Sequence, residues 1–287
     1  MNPDAFTLIR PEARTTCVVF ASPHSGREYS EALMSRVLLD RHQIRSSEDA
    51  HVDRLFAAAP DHGAPLIAAK TPRAFLDLNR GPDELDPALI EGVRRRAGNP
   101  RIASGLGVVP RVVANGRQIY RGKISLEEAH RRITTRWRPY HDQLQTLLDE
   151  SRNRFGQAIL IDCHSMPHEA LESVGVANGV RPQIVLGDRY GSTAAPAIVE
   201  EVEAAFADAG LRVARNMPFA GAFITQQYGQ PHRRQHALQV EIDRALYMNE
   251  ATLELSPDFE DFRALLDGVI ARIAALGREG AGAMAAE

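Results

Sequence analysis

Ala158-Ile159-Leu160-Ile161-Asp162-Cys163-His164-Ser165-Met166-Pro167 decides the fold: an unbroken apolar run that stops at a histidine, a serine and a proline. A short apolar run closed by turn residues is the pattern of a strand covered on both faces. Cys17-Val18-Val19-Phe20-Ala21-Ser22-Pro23-His24-Ser25-Gly26 repeats it. In open α/β sheets ligands bind beyond the carboxyl ends of the strands. His24 and His164 can therefore face one crevice and share a metal, since neutral imidazole is the commonest protein metal ligand. The competing reading is that each histidine only caps a strand and hydrogen-bonds a loop.

Outward from these strands, Pro65 to Ala69, Ala74 to Leu78, Gln183 to Leu186 and Gln239 to Ile242 read as further strands. Helical spacing marks Ser30 to Leu39, with Ser30 as N-cap, and Asp49 to Ala59. The pattern Ser125-Leu126-Glu127-Glu128 is a capping box. It opens a helix that runs to about Arg154 with a break near Pro139. Further helices span about Thr193 to Ala209 and Phe259 to Leu276. From Asp83 to Arg121 repeated glycines interrupt any period, as in loops that serve as lids or contact substrate. Strands separated by helices predict a largely parallel sheet between helical layers. The 287 residues read as a single catalytic domain ending in a disordered tail over 277–287.

Composition narrows the function classes. Hydrophobic content of 44% with 25% charged residues is that of a globular chain. A net charge of -3 and the lack of a basic stripe with interleaved aromatics speak against a nucleic-acid partner. No run of 18 apolar residues exists to span a membrane, and the first ten residues lack a signal-peptide pattern. The two cysteines, Cys17 and Cys163, fall inside strands and read as buried free thiols, which points to a reducing cytoplasm. No heptad or long exposed apolar face points to a particular assembly.

A catalytic zinc takes three protein ligands, commonly two His and one carboxylate, and keeps a position open. The carboxylate beside His24 and His164 is sought in Glu48-Asp49, where Asp49 is equally well placed to be a helix N-cap. Asp162, two residues before His164 on an alternating strand, shares its face and can orient it. HExxH is absent, and His168, His232 and His236 read as loop residues outside any metal site. Glu241 lies in the run Leu238-Gln239-Val240-Glu241-Ile242, where burial suits a general base; an ion pair with Arg244 is the structural alternative. Asn79 and Arg80, before Gly81-Pro82, offer an amide and a guanidinium for a carboxylate. Arg73 can polarise a carbonyl or grip a second carboxylate.

In order along the chain, Ser22-Pro23-His24-Ser25-Gly26, Glu48-Asp49-Ala50-His51-Val52-Asp53, Asp77-Leu78-Asn79-Arg80, Asp162-Cys163-His164-Ser165 and Val240-Glu241-Ile242 resemble the motifs of the N-formylglutamate amidohydrolase family. That family is itself similar, distantly, to zinc carboxypeptidases and aspartoacylase. The resemblance implies a three-layer αβα fold with a mixed, largely parallel sheet of roughly eight strands. It implies one zinc ion on His24, Asp49 and His164, and Glu241 as catalytic carboxylate. Arg73, Asn79 and Arg80 become substrate-binding residues, with Arg73 stabilising the oxyanion. The implied reaction is hydrolysis of N-formyl-L-glutamate, or a similar small N-acyl acidic amino acid, to formate and the free amino acid. The chain departs from the zinc carboxypeptidases, which carry His-x-x-Glu, because position 27 is Arg. Two other readings stay open: a metallo-carboxypeptidase or desuccinylase acting on a larger substrate, and a non-catalytic binding protein on the same fold.

Overall fold

The computed structural model describes residues 5–94, 99–173 and 181–278. Among these, seven strands form one mixed sheet: β1 (Phe6–Ile9), β2 (Val18–Ser22), β3 (Leu66–Ala69), β4 (Ala158–Met166), β5 (Ile184–Gly187), β6 (Val213–Arg215) and β7 (Gln235–Asp243). Their order is β1-β3-β2-β4-β7-β5-β6. The helices are α1 (Glu31–Met34), α2 (Val52–Leu55), α3 (Pro100–Ala103), α4 (Leu126–Arg132), α5 (Arg138–Phe155), α6 (Pro196–Asp208), α7 (Phe223–Tyr228) and α8 (Phe259–Ala275). The fold is α/β with a mixed sheet and flanking helices, seven strands standing where the resemblance implies roughly eight. None of the described helices is long and apolar enough to cross a membrane.

The chain divides into two compact units. The second comprises the described residues of Leu8–Ser22, Ala50–Ile67 and Leu144–Glu287. In it β2 and β4 pair in parallel, β4 and β7 pair in parallel, and β5 runs antiparallel to β7. Side chains alternate across a strand with period two. One face therefore carries Val18 and Phe20 from β2, Ile159, Ile161 and Cys163 from β4, and Leu238, Val240 and Ile242 from β7. These pack with Val52 and Leu55 of α2, Val199, Val202 and Phe206 of α6, and Leu266, Ile270 and Ile273 of α8. Each fully buried aliphatic or aromatic side chain contributes about 1.5–3 kcal/mol, so this core dominates the unit's stability. The same alternation turns Asp162, His164, Gln239 and Glu241 to the opposite face. Both cysteines are free and buried. At the end of the chain, Gly277 O accepts the Cys17 N–H at 2.9 Å, and residues 279–287 lie outside the described residues.

The first unit comprises the described residues of Met1–Thr7, Pro23–Asp49 and Ala68–Gln143. Much of it is irregular, as the glycine-broken stretch predicts. Ser30 caps α1 by accepting the Leu33 N–H at 3.2 Å, but that helix is a single turn rather than a run to Leu39. Ser125 caps α4 through Glu128 N at 3.1 Å, one half of the capping box. The Glu128 carboxylate turns to Arg132 at 2.8 Å instead of back to the cap. A π-helical turn over Ile133–Trp137 joins α4 to α5 directly ahead of Pro139, whose ring cannot donate to the helix ladder.

Three expectations need correction. Ala74 to Leu78 is a turn, not a strand: Phe75 N and Leu76 N both fold back to Pro72 O, at 2.9 and 3.2 Å. The apolar alternation there reflects burial of Ala74, Leu76 and Leu78 without any ladder. The helix read over Asp49 to Ala59 shrinks to α2, because His51 at φ 66° breaks the helical path before Val52 and a 3-10 turn over Ala59–His62 replaces the end. Asp49 is accordingly not an N-cap. His236 lies within β7 rather than in a loop, and its buried ring accepts Ala195 N at 3.3 Å through Nδ1.

Candidate metal centre and its supporting residues

His24 and Asp49 are buried in the first unit, Nδ1 of the imidazole standing 3.4 Å from Oδ2 of the carboxylate. The backbone fixes the pair, since Asp49 N–H donates to His24 O at 3.0 Å. The other ring nitrogen, Nε2, lies 2.8 Å from Oδ1 of Asp77. A carboxylate can only accept, so Nε2 carries a proton, and in the neutral ring Nδ1 is then the nitrogen that keeps a lone pair. Gly26 allows this segment to lie against its neighbour, for a Cβ there would sit 2.1 Å from Thr71 O.

Glu48 and Asp49, which sequence leaves as alternatives, separate cleanly. Glu48 is held by Arg45, with Nε at 2.9 Å and Nη2 at 3.1 Å, and accepts from Tyr29 Oη at 3.3 Å. Asp49 is the carboxylate that faces His24.

Asp77 is a hub that sequence reasoning quoted without giving it a role. It accepts from His24 Nε2, from Arg73 Nε at 3.0 Å and from Asn79 N–H at 2.8 Å. Burial opposes its ionisation, but the charge of Arg73 and the hydrogen bond from His24 outweigh that and hold the carboxyl well below the usual carboxylate range. Arg73 also reaches Ser47 O at 3.5 Å. Arg80 is buried, donating Nε to Leu106 O at 2.9 Å and Nη1 to Asn79 O at 2.8 Å. Burial lowers its pKa, and Asp77 partly opposes that.

In the second unit His164 and Glu241 are register partners on the parallel strands β4 and β7. Asp162 Oδ2 stands 3.0 Å from His164 Nε2, the placement expected from their i,i+2 spacing. Gln239 Nε2 donates to Glu241 Oε1 at 2.8 Å, and Val185 is the partner of Glu241 on β5. Arg244, the structural alternative for Glu241, donates Nε to Ser165 Oγ at 3.1 Å. His168 is tied to Asp243 at 2.8 Å, and His232 sits in a 3-10 turn over Pro231–Arg233.

One ligand atom from each of His24, Asp49 and His164 lies within 4.8 Å of the others, and all three residues are buried. Two imidazoles and a carboxylate are the donor set zinc takes at catalytic sites, so the residues fit a metal of that kind. The Asp77 carboxylate bonded to His24 Nε2 is the outer support that metal-ligating imidazoles ordinarily have.

The model of the N-formylglutamate amidohydrolase family matches residues 16–248. An N-formylglutamate deformylase of Pseudomonas aeruginosa is 31% identical over 271 residues, covering 91% of this chain and 94% of the relative. Its counterpart from Pseudomonas putida is 31% identical over 240 residues, covering 81% and 82%. The crystal structure of an N-formylglutamate amidohydrolase from Ralstonia eutropha JMP134 superposes with a TM-score of 0.88 at 36% identity, covering 96% of this chain and 98% of that one. With that match spanning every motif from His24 to Glu241, the chain belongs to the N-formylglutamate amidohydrolase family and is a hydrolase acting on an amide bond.

Proposed function

We propose that this enzyme, as one catalytic domain, hydrolyses N-formyl-L-glutamate to formate and glutamate with one zinc ion held by His24, Asp49 and His164. The observation that carries the reading is the convergence of those three buried donors within 4.8 Å. The substrate follows from what the relatives are named for. Bound zinc would supply the Lewis acidity that lowers the pKa of water from about 15.7 to about 7 and polarises a carbonyl.

The chain's own residues do the rest. Asp77 keeps His24 in the tautomer with Nδ1 available, and Asp162 orients His164. Glu241 takes a proton from the attacking water and passes it to the leaving nitrogen. Its position beside His164 in the strand register and its bond from Gln239 support that role. Arg73 stabilises negative charge growing on the carbonyl oxygen. Asn79 and Arg80 anchor a substrate carboxylate and so fix the amide in place. Two buried free thiols are in keeping with action in a reducing cytoplasm.

The direct test is a hydrolysis screen of N-acyl amino acids with zinc added and with chelator. Formate release from N-formyl-L-glutamate that chelator abolishes and zinc restores is the expected result. Turnover indifferent to chelator, or confined to peptides and N-succinyl substrates, would overturn it.

A further inference from the structure

Trp137 and His141 lie one helical turn apart, and both donate to the loop that carries Asn79 and Arg80. His141 Nε2 reaches Leu78 O at 2.9 Å, and Trp137 Nε1 reaches Arg80 O at 2.9 Å. The two acceptors flank Asn79. The rings lie against one another, tilted by 31° with centroids 3.9 Å apart, so each braces the other's donor. His141 is buried, and burial pushes its pKa down to about 3, which keeps the ring neutral.

Other backbone groups of the loop are also occupied. Asp77 N–H donates to Val108 O at 2.8 Å, Asn79 N–H to Asp77 Oδ1 at 2.8 Å, and Asn79 O accepts from Arg80 Nη1 at 2.8 Å. A turn with no ladder of its own is thus fixed at several of its peptides. The π-helical turn ending at Trp137 inserts an extra residue ahead of α5 and changes the angular phase at which the indole leaves the helix. Such π turns recur at functional sites.

We infer that Trp137 and His141 are positioning residues for carboxylate recognition: they set the loop so that the Asn79 amide and the Arg80 guanidinium hold the geometry a substrate carboxylate needs. This rests on the proposed role of Asn79 and Arg80. Neither aromatic side chain touches substrate. Because the interaction is made with a group remote from the reacting bond, its loss weakens ground state and transition state alike and appears in KM rather than kcat.

The test uses the full-length, zinc-loaded protein and three variants. Trp137→Phe keeps a ring to stack but removes the N–H, His141→Gln keeps a donor of similar reach, and His141→Leu removes it. Expected for Trp137→Phe and His141→Leu is a KM for N-formyl-L-glutamate raised about 10-fold, the loss of one hydrogen bond. Their kcat stays within about 2-fold, and His141→Gln recovers most of the KM. Against the substrate amidated at the carboxylate that Arg80 holds, the same variants should change KM by less than about 2-fold. Equal losses on both substrates, a fall in kcat with KM unchanged, or no rescue by Gln would overturn the inference. An Arg80→Met control separates the two layers. If it raises KM and the aromatic variants do not, the positioning role fails alone. If it leaves KM unchanged, the carboxylate reading falls and takes the positioning role with it.

Discussion

His24 Nε2 and Asp77 Oδ1 face each other at 2.8 Å in a buried setting, 53 residues apart in the chain. This contact decides which nitrogen of His24 is available as a ligand, because the carboxylate can only accept. It also joins the histidine to Arg73 and to the backbone of Asn79 through a single carboxylate.

Replacing Asp77 with Asn is therefore expected to weaken the metal centre rather than to unfold the chain. An amide can donate to Nε2 and favour the wrong tautomer, and supports of this kind are worth about 10–100-fold in affinity or activity. Competition with a chromophoric chelator should show zinc bound that much more weakly. Unaltered zinc affinity and turnover would remove Asp77 from the site.

Metal analysis of protein purified without chelator should find close to one divalent ion per chain. His24→Ala and Asp49→Ala should each lose it together with turnover. Glu48→Gln should retain it, since Glu48 is engaged by Arg45 and Tyr29. Its cost is expected in stability, about 1–3 kcal/mol for leaving a buried hydrogen-bonded group unsatisfied, read by urea unfolding. Metal loss in Glu48→Gln with retention in Asp49→Ala would reverse the assignment.

Glu241→Gln is the cleanest test of the proton carrier. The amide is nearly isosteric and still lies beside His164, so zinc content should be unchanged while kcat falls by about 10²–10⁴-fold. A variant that turns over at the wild-type rate would exclude Glu241 from the chemistry.

His141 sets a pH dependence of stability. Its pKa is about 3 in the folded chain against 6.5 unfolded, so below 6.5 the unfolded chain takes up a proton that the folded chain refuses. The stability it contributes is complete above pH 6.5 and is lost as pH falls toward 3, at up to about 1.4 kcal/mol per pH unit. Urea unfolding of wild type and His141→Gln across that range should show the shallower slope in the variant. Parallel curves would contradict it.

Much of the candidate metal centre can be read from local rules in the sequence. The apolar runs of β2 and β4 had to be covered strands, and residues that follow such strands emerge at their carboxyl ends. That placed His24, while period two put Asp162 and His164 on one face and buried Glu241. The Ser30 and Ser125 caps were equally local. Elsewhere local pattern misled: Ala74 to Leu78 alternates like a strand but is a turn set by Pro72, and His51 in the left-handed region ends what spacing offered as a continuous helix.

By itself the sequence determined the α/β class, the principal strands and the residue types able to bind a metal and a carboxylate. Only tertiary structure decided which of them face one another. It chose Asp49 over Glu48 by the side each carboxylate faces, made Asp77 the partner of His24, and brought Trp137 and His141 onto the Asn79-Arg80 loop. The reason is physical: strand and cap signals come from neighbours within a few residues, whereas a buried polar group must find partners wherever the folded chain supplies them.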